Sequence, residues 1–318
     1  MHNVPKGRIR PLIAGLLALA ALNGAILLSD LFSSAPPRYL LIHSDDAGMY
    51  PSVNAATIQA LEHGSVTSCS IMVPCPGFAE FATYAAAHPE RDFGIHLTLN
   101  CDTTTHRWGP VSPRKTVPSL VDQEGYLWAT TQDTAAHARL EDVEVELRAQ
   151  IEKARAAGIR ISHLDHHMFV LFERPDLLRL YVRLALEYDL PIRYSDEVPD
   201  GQLDASRPEI VAAYEEGLQK LRAGHLPVLV EVDARNYGVP PEEKRGYYLS
   251  RLKELKPGVT EFLIHCAHGP PGPQHAPNAD RREADTRVFT SQEMADAIRA
   301  DGIRTIDWKA FRQMNAHH

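Results

Sequence analysis

Short apolar runs, each closed by polar residues, alternate along this chain with longer stretches that carry apolar residues at helical spacing. The first run, Tyr39-Leu40-Leu41-Ile42, continues through His43-Ser44 and stops at Asp45-Asp46-Ala47-Gly48. Further strand-like runs occupy residues 69–73, 93–97, 159–164, 192–194, 228–232, 261–266 and 304–307. Between them the spacing predicts helices over 53–61, 78–87, 138–157, 177–188, 210–221, 242–255 and 291–300. Strand and helix alternating at such short intervals is the pattern of parallel strands joined by crossover helices. No internal repeat or linker divides residues 38–318. The expected fold class is therefore α/β: a single (β/α) barrel-like domain, an irregular seven- or eight-stranded TIM-type barrel, with an open doubly wound sheet as the alternative.

Two stretches depart from this rhythm. Residues 101–135 are rich in Thr, Pro and Gly, with Trp108, Tyr126 and Trp128 spread through them. A loop of this length inside a compact domain suggests a lid or binding loop; its aromatics suit sugar faces, or equally a small hydrophobic cluster of their own. At the N-terminus, Lys6, Arg8 and Arg10 precede an almost wholly apolar segment from Pro11 to Leu28, and Ser33-Ser34-Ala35 supplies small residues before Pro36-Pro37. Residues 1–37 thus read as a signal peptide or N-terminal membrane anchor, which places the remaining domain, residues 38–318, outside the cytoplasm.

With 318 residues, 44% of them hydrophobic, the chain can bury one large core. The net charge of −8 argues against a nucleic-acid partner, which needs a basic face. Cys69, Cys75, Cys101 and Cys266 show no metal-ligand spacing. They read as buried small hydrophobes or as one incidental bridge, Cys69–Cys75 or Cys75–Cys101.

The sixteen histidines matter by position. Asp45 and Asp46 end the first predicted strand, His96 the third, His163-Leu164-Asp165-His166-His167 the fourth, and His265 a late one. A parallel barrel assembles its active site from the C-terminal ends of its strands, and here several carry the same kind of residue. Adjacent Asp residues also cap helices and make turns, and a lone His at a strand end is ordinarily a rim residue. The coincidence across several strands favours a site. Two His and one Asp suit zinc, and also tolerate magnesium, manganese, cobalt or iron, with positions left open for water and substrate. A spare carboxylate and a spare His can then move protons.

These residues resemble a known family. The stretch from Leu41 to Gly48 is similar to the Asn-Ala-Asp-Asp-Phe-Gly opening of the YdjC-like carbohydrate deacetylases. Gly94-Ile95-His96-Leu97-Thr98-Leu99 looks like their Gly-x-His-Leu-Thr-Leu stretch, and His163 to His167 is similar to their His-x-Asp-Ser-His motif. Glu261 to His265 resembles their late strand ending in His, and the matches run in order over residues 39 to 308. The resemblance implies a barrel-like fold, one divalent metal ion (zinc or magnesium) and hydrolysis of an N-acetyl group on a small-molecule amino sugar or oligosaccharide. It implies Asp46, His96 and His167 as metal ligands, Asp45 as the catalytic base and His265 as the group assisting the leaving amine. His163 and Asp165 would orient ligands, and His166 is the alternative to His167. The chain departs from the family at His166, where Ser is usual, at Phe169, where a further His is usual, at Ala47, and at Cys266-Ala267. These departures bear on the substrate more than on the metal. A different hydrolysed bond (another amide, an ester, a phosphodiester) or a secreted non-catalytic carbohydrate-binding protein are the alternatives.

Overall fold

The computed structural model describes residues 36–198, 203, 206–269 and 276–315. The targeting segment expected over residues 1–37 lies, apart from Pro36 and Pro37, outside the described residues. Among those described, no helix is long and apolar enough to cross a membrane.

The elements run β1 (Arg38–Ala47), α1 (Pro51–His63), β2 (Ser68–Ile71), α2 (Phe78–Ala87) and β3 (Phe93–Leu97), then α3 (Thr131–His137), α4 (Leu140–Ala156) and β4 (Ile161–His166). They continue with α5 (Pro175–Tyr188), α6 (Pro208–Ala223), β5 (Glu231–Asp233), α7 (Lys244–Glu254), β6 (Gly258–His265), α8 (Ala279–Phe289), α9 (Gln292–Ala300), β7 (Arg304–Thr305) and α10 (Trp308–Asn315). The parallel sheet has the order β4-β3-β2-β1-β6-β5, and β7 pairs with the start of β1. Between β4 and β5 there is no ladder. Single bridges, Leu164 to Ile192 and Ser195 to Leu229, span that gap. The result is a curled, incomplete (β/α) barrel, and the strand expected at 192–194 is reduced to those bridges.

The strands read as continuous apolar runs, yet they alternate. Successive side chains of a strand point to opposite faces. On β1, Leu40 and Ile42 join the large cluster under the helices, whereas Leu41, His43 and Asp45 face the barrel interior. Ser68 and Ser70 of β2, His96 of β3, His163 and Asp165 of β4, and Glu261 of β6 meet them there. The interior is thus mainly apolar towards the N-terminal ends of the strands, with Leu263 carrying that face up to the level of His43. There Leu41, Val232, Val259 and Leu263 pack with Trp308 and Phe311 of α10. Above that plug it is polar. Gly94 is glycine because the barrel is narrow: a Cβ there would lie 2.2 Å from His163 Nε2.

Three helices escaped the periodicity, α3, α8 and α10. The predicted 138–157 helix is α4, within two residues of its expected bounds, and β4 runs two residues beyond its expected end. Residues 101–135 are packed down rather than open. Glu146 of α4 accepts the Val111 and Ser112 amides, Asp142 accepts the amide and hydroxyl of Ser119, and Val117, Leu120 and Leu127 are buried. Trp108 is buried with its indole N–H on the Asn100 carbonyl, Trp128 stacks on His137 at 4.0 Å, and Arg107 lies over Tyr126. These aromatics serve the loop's own packing. The four cysteines are buried and free.

Candidate metal centre and active site

Parity along β1 sends Asp45 inward and would send Asp46 outward. Asp46 instead takes a left-handed conformation (φ +69°), and the β1–β2 register shifts between Ser44 and Ala47. That local irregularity, costly for a residue with a Cβ, brings both carboxylates to one cavity. About 140 Å³ in volume, it is lined by Asp45, Asp46, His96, Asp102, His166, His167 and His265, with Met168, Tyr237 and Arg282 among the remaining walls.

Asp46 Oδ1 lies 3.3 Å from His96 Nε2 and 3.3 Å from His167 Nδ1, and it has no hydrogen-bond partner although buried. The three groups are close enough for one ion to bind all of them. The other nitrogen of each imidazole is held by a carboxylate: His96 Nδ1 donates to Asp165 Oδ1 (2.7 Å), and His167 Nε2 to Asp102 Oδ1 (3.2 Å). Metal-binding histidines are oriented in this way, with the far N–H fixed so that the near lone pair faces the ion. Asp46 Oδ2 accepts from Arg282 Nη2 at 2.6 Å, which leaves Oδ1 as the free ligand atom.

The electrostatics point the same way. Burial pulls the His96 pKa down, but Asp165 and Asp45 raise it to about 10; burial likewise opposes, and Asp102 with Asp46 overcomes, in raising His167 to about 9. The cluster therefore draws in positive charge. A divalent cation held by these atoms would take the place of the two protons. Burial works to raise the pKa of Asp46, but Arg282 and the two imidazoles hold it well below the usual carboxylate range. Two other groupings of potential ligands, His43 with His163 and Asp165, and Asp45 with His96 and Asp165, also exist. Both include Asp165, and the Arg193 guanidinium lies 2.9 Å from its Oδ2 and 2.6 Å from Asp45 Oδ1. A cation already occupies that ground.

Asp45 is gripped through both oxygens by Arg193, Nη1 to Oδ2 at 3.0 Å and Nη2 to Oδ1 at 2.6 Å. Burial would raise its pKa; Arg193, then His96, lower it below the ordinary value, so the carboxylate stays ionised. Arg193 also donates to Glu261. His265 stands with Nε2 3.9 Å from Asp46 Oδ2. Burial first, then Arg282, push its pKa down to about 3, so it is neutral at neutral pH. As a proton donor it must first receive a proton.

Two sequence expectations change here. His166 points from the opposite face of β4 into Phe169, Phe172 and Tyr181, where both its nitrogens lack partners and burial lowers its pKa to about 3. Among the described residues no grouping of potential metal ligands includes His166, and it is His167, beyond the strand end, that reaches Asp46. His163 does not touch the three-residue cluster. It sits deeper, stacked on Trp308 at 4.9 Å with Ser162 Oγ 2.8 Å from its Nδ1. Asp165 lies directly behind His96, as expected of an orienting group.

Four participants had no place in the sequence reading: Asp102, Arg193, Arg282 and His43. Arg193, a charge inside a short apolar run, carried a readable signal; Asp102 in a Thr-rich loop and Arg282 in a polar helix carried none. Asp102→Ala is expected to weaken binding of the divalent ion by about 10- to 100-fold through loss of imidazole orientation. Competition against a chromogenic chelator measures this, and unchanged affinity would show that His167 needs no such support.

Comparison with known proteins agrees with this geometry. The chain is 32% identical to a carbohydrate deacetylase of Thermus thermophilus over 87% of its own length and 94% of that protein's. It is 39% identical to a carbohydrate deacetylase of Brevibacillus brevis, over 49% of this chain and 58% of the relative. The solved structure of a proposed cellobiose-phosphate cleavage protein from Enterococcus faecalis V583 superposes with a TM-score of 0.70 at 26% identity, covering 86% of this chain and 98% of that one. The profile of the family described as YdjC-like protein matches residues 39–300. With that match spanning most of its length, the chain belongs to the YdjC-like family.

Proposed function

We propose that this protein is a metal-dependent hydrolase that removes N-acetyl groups from amino sugars or their oligosaccharides. One observation carries the reading: the unpartnered Asp46 Oδ1 between two imidazoles whose far nitrogens are tied to carboxylates, with the ionised Asp45 beside it. Asp46, His96 and His167 would hold one divalent ion, zinc or magnesium. Such an ion, when bound, polarises an acyl oxygen and makes water a better nucleophile at neutral pH.

The chain's own groups supply the rest. Asp45, fixed by Arg193, accepts the proton of the attacking water as the water oxygen bonds to the acetamide carbon. The C–N bond then breaks, and the nitrogen leaves as an amine that needs one proton. His265, neutral beforehand, takes up the proton that Asp45 gained from the water and passes it to that nitrogen, which restores the Asp45 carboxylate. Burial of Asp45, Asp46, His96 and His167 limits the access of bulk water to these protons. The sugar assignment follows the relatives named as carbohydrate deacetylases.

Acetate release from a panel of N-acetylated mono- and oligosaccharides, with and without a chelator, tests the reading. Chelator-sensitive release is expected. Bound metal with no release from any member would move the chemistry to a different bond.

A further inference from the structure

Among the described residues, the exposed large apolar side chains are Val145, Met168, Val198 and Tyr237. Two of these, Met168 at 44% exposure and Tyr237 at 43%, line the candidate active-site cavity. They come from different parts of the barrel. Met168 follows His167 at the end of β4, and Tyr237 lies in the short 3-10 turn after β5.

Neither is loosely placed. The Tyr237 ring meets the His265 ring at 5.4 Å and 62°. Its hydroxyl accepts from Asn278 Nδ2 at 2.8 Å, and its carbonyl accepts from Arg281. The preceding Asn236 is buried and donates to the Leu263 carbonyl at 2.6 Å, which anchors the turn to β6. Met168 and Phe169 are two consecutive left-handed residues, φ +56° and +58°, a conformation that Asn or Gly adopts more readily. The Phe169 ring is packed against His166 and Phe172. The turn therefore holds Met168 at the cavity against its own backbone preference, and strain of this kind gathers at ligand-binding positions.

The cavity thus has a charged floor, Asp45, Asp46, His96, His167 and Arg282, and two exposed apolar walls. A ligand that suits both must combine a flat apolar face with a polar rim in a unit of a few ångströms. A pyranose ring does: its axial C–H bonds make an apolar face and its hydroxyls a polar edge. Tyrosine offers a rigid apolar surface with a polar tip and loses little conformational freedom on contact. We propose that Tyr237 and Met168 form a binding subsite for one pyranose ring of the substrate, Tyr237 against its C–H face, so that the ring's N-acetyl group reaches Asp45 and Asp46. This inference rests on the N-deacetylase reading and adds the place where the sugar sits.

The test uses the full, metal-loaded chain and oligomers of N-acetylglucosamine. Loss of one aromatic contact is worth about a tenfold change in affinity. Tyr237→Ala is therefore expected to raise KM about tenfold with a smaller change in kcat, and Tyr237→Phe, which keeps the ring, to stay within about twofold of the parent. Met168→Asn relieves the backbone strain, so it should raise Tm by about 2 °C while weakening sugar binding several-fold. Unchanged KM in Tyr237→Ala, with acetate still released, overturns the subsite and leaves the N-deacetylase reading standing. Equal loss of kcat in Tyr237→Phe and Tyr237→Ala also overturns it, because the hydroxyl rather than the ring would then matter. If the parent binds sugar without releasing acetate, titration of the same oligomers into the parent and Tyr237→Ala decides the subsite: binding about tenfold weaker in Tyr237→Ala supports it, and equal binding overturns it. A parent that neither binds nor hydrolyses any oligomer overturns both.

Discussion

Asp45→Asn is expected to lower acetate release by about 10³-fold or more while the protein keeps its metal. The substitution preserves shape and leaves Asp46, His96 and His167 untouched, but an amide cannot take the proton of the attacking water. Arg193 holds Asp45 through both oxygens, so the carboxylate belongs to the guanidinium network and not to the three-residue cluster. Acetate release and elemental analysis on one preparation measure both halves of the expectation. Loss of metal would mean that the two adjacent carboxylates share the ion, and full activity would mean that another group is the base.

Arg193→Met is expected to be the most damaging single change to the fold. The guanidinium is buried and meets Asp45, Asp165 and Glu261, all buried too. Burial alone would raise the Asp45 and Asp165 pKa values, yet both lie below the ordinary carboxylate value, with Arg193 the first of the lowering influences. Removing one partner of a buried ion pair costs about 3–5 kcal/mol, because the charges left behind remain desolvated. Methionine fills similar volume, so the loss would report charge and not a cavity. Arg193→Lys keeps the charge without the planar fork and should lie between the two. Urea denaturation of the three proteins ranks them; equal midpoints would show that solvent or protons neutralise the carboxylates without cost.

Much of this barrel is legible in the sequence because parallel strands and crossover helices leave separate periodic signals. The elements Phe78–Ala87 and Phe93–Leu97 have the expected bounds. Helix α8 was not visible because it is built from Asp, Arg and Glu residues, several of them buried by pairing: Arg282 on Asp46, and Asp285 with Lys244. Hydrophobic periodicity carries no trace of a face that is buried through charge. The polar interior was half visible. His43 with Asp45, and His163 with Asp165, are spaced by two, which is the parity that turns them to one side of a strand. The same parity separates His166 from Asp165. What parity could not reveal is the left-handed turn at Asp46, which puts an outward position into the cavity. Asp102 and Arg193 belong to the site through contacts across the barrel, 65 residues from His167 and 148 from Asp45. Such pairings form only once the strands have closed on one another.

The chemistry proposed for this barrel depends on Asp46, His96 and His167 binding one divalent ion. Elemental analysis of the metal-loaded protein, alongside His167→Ala and His166→Leu, tests it most directly. His166 lies in an aromatic surround with both nitrogens unpartnered, so leucine should replace it with the site intact. One equivalent of metal is expected in the parent and in His166→Leu, and its loss in His167→Ala. Metal retained by His167→Ala and lost from His166→Leu would contradict it, as would a parent that binds none.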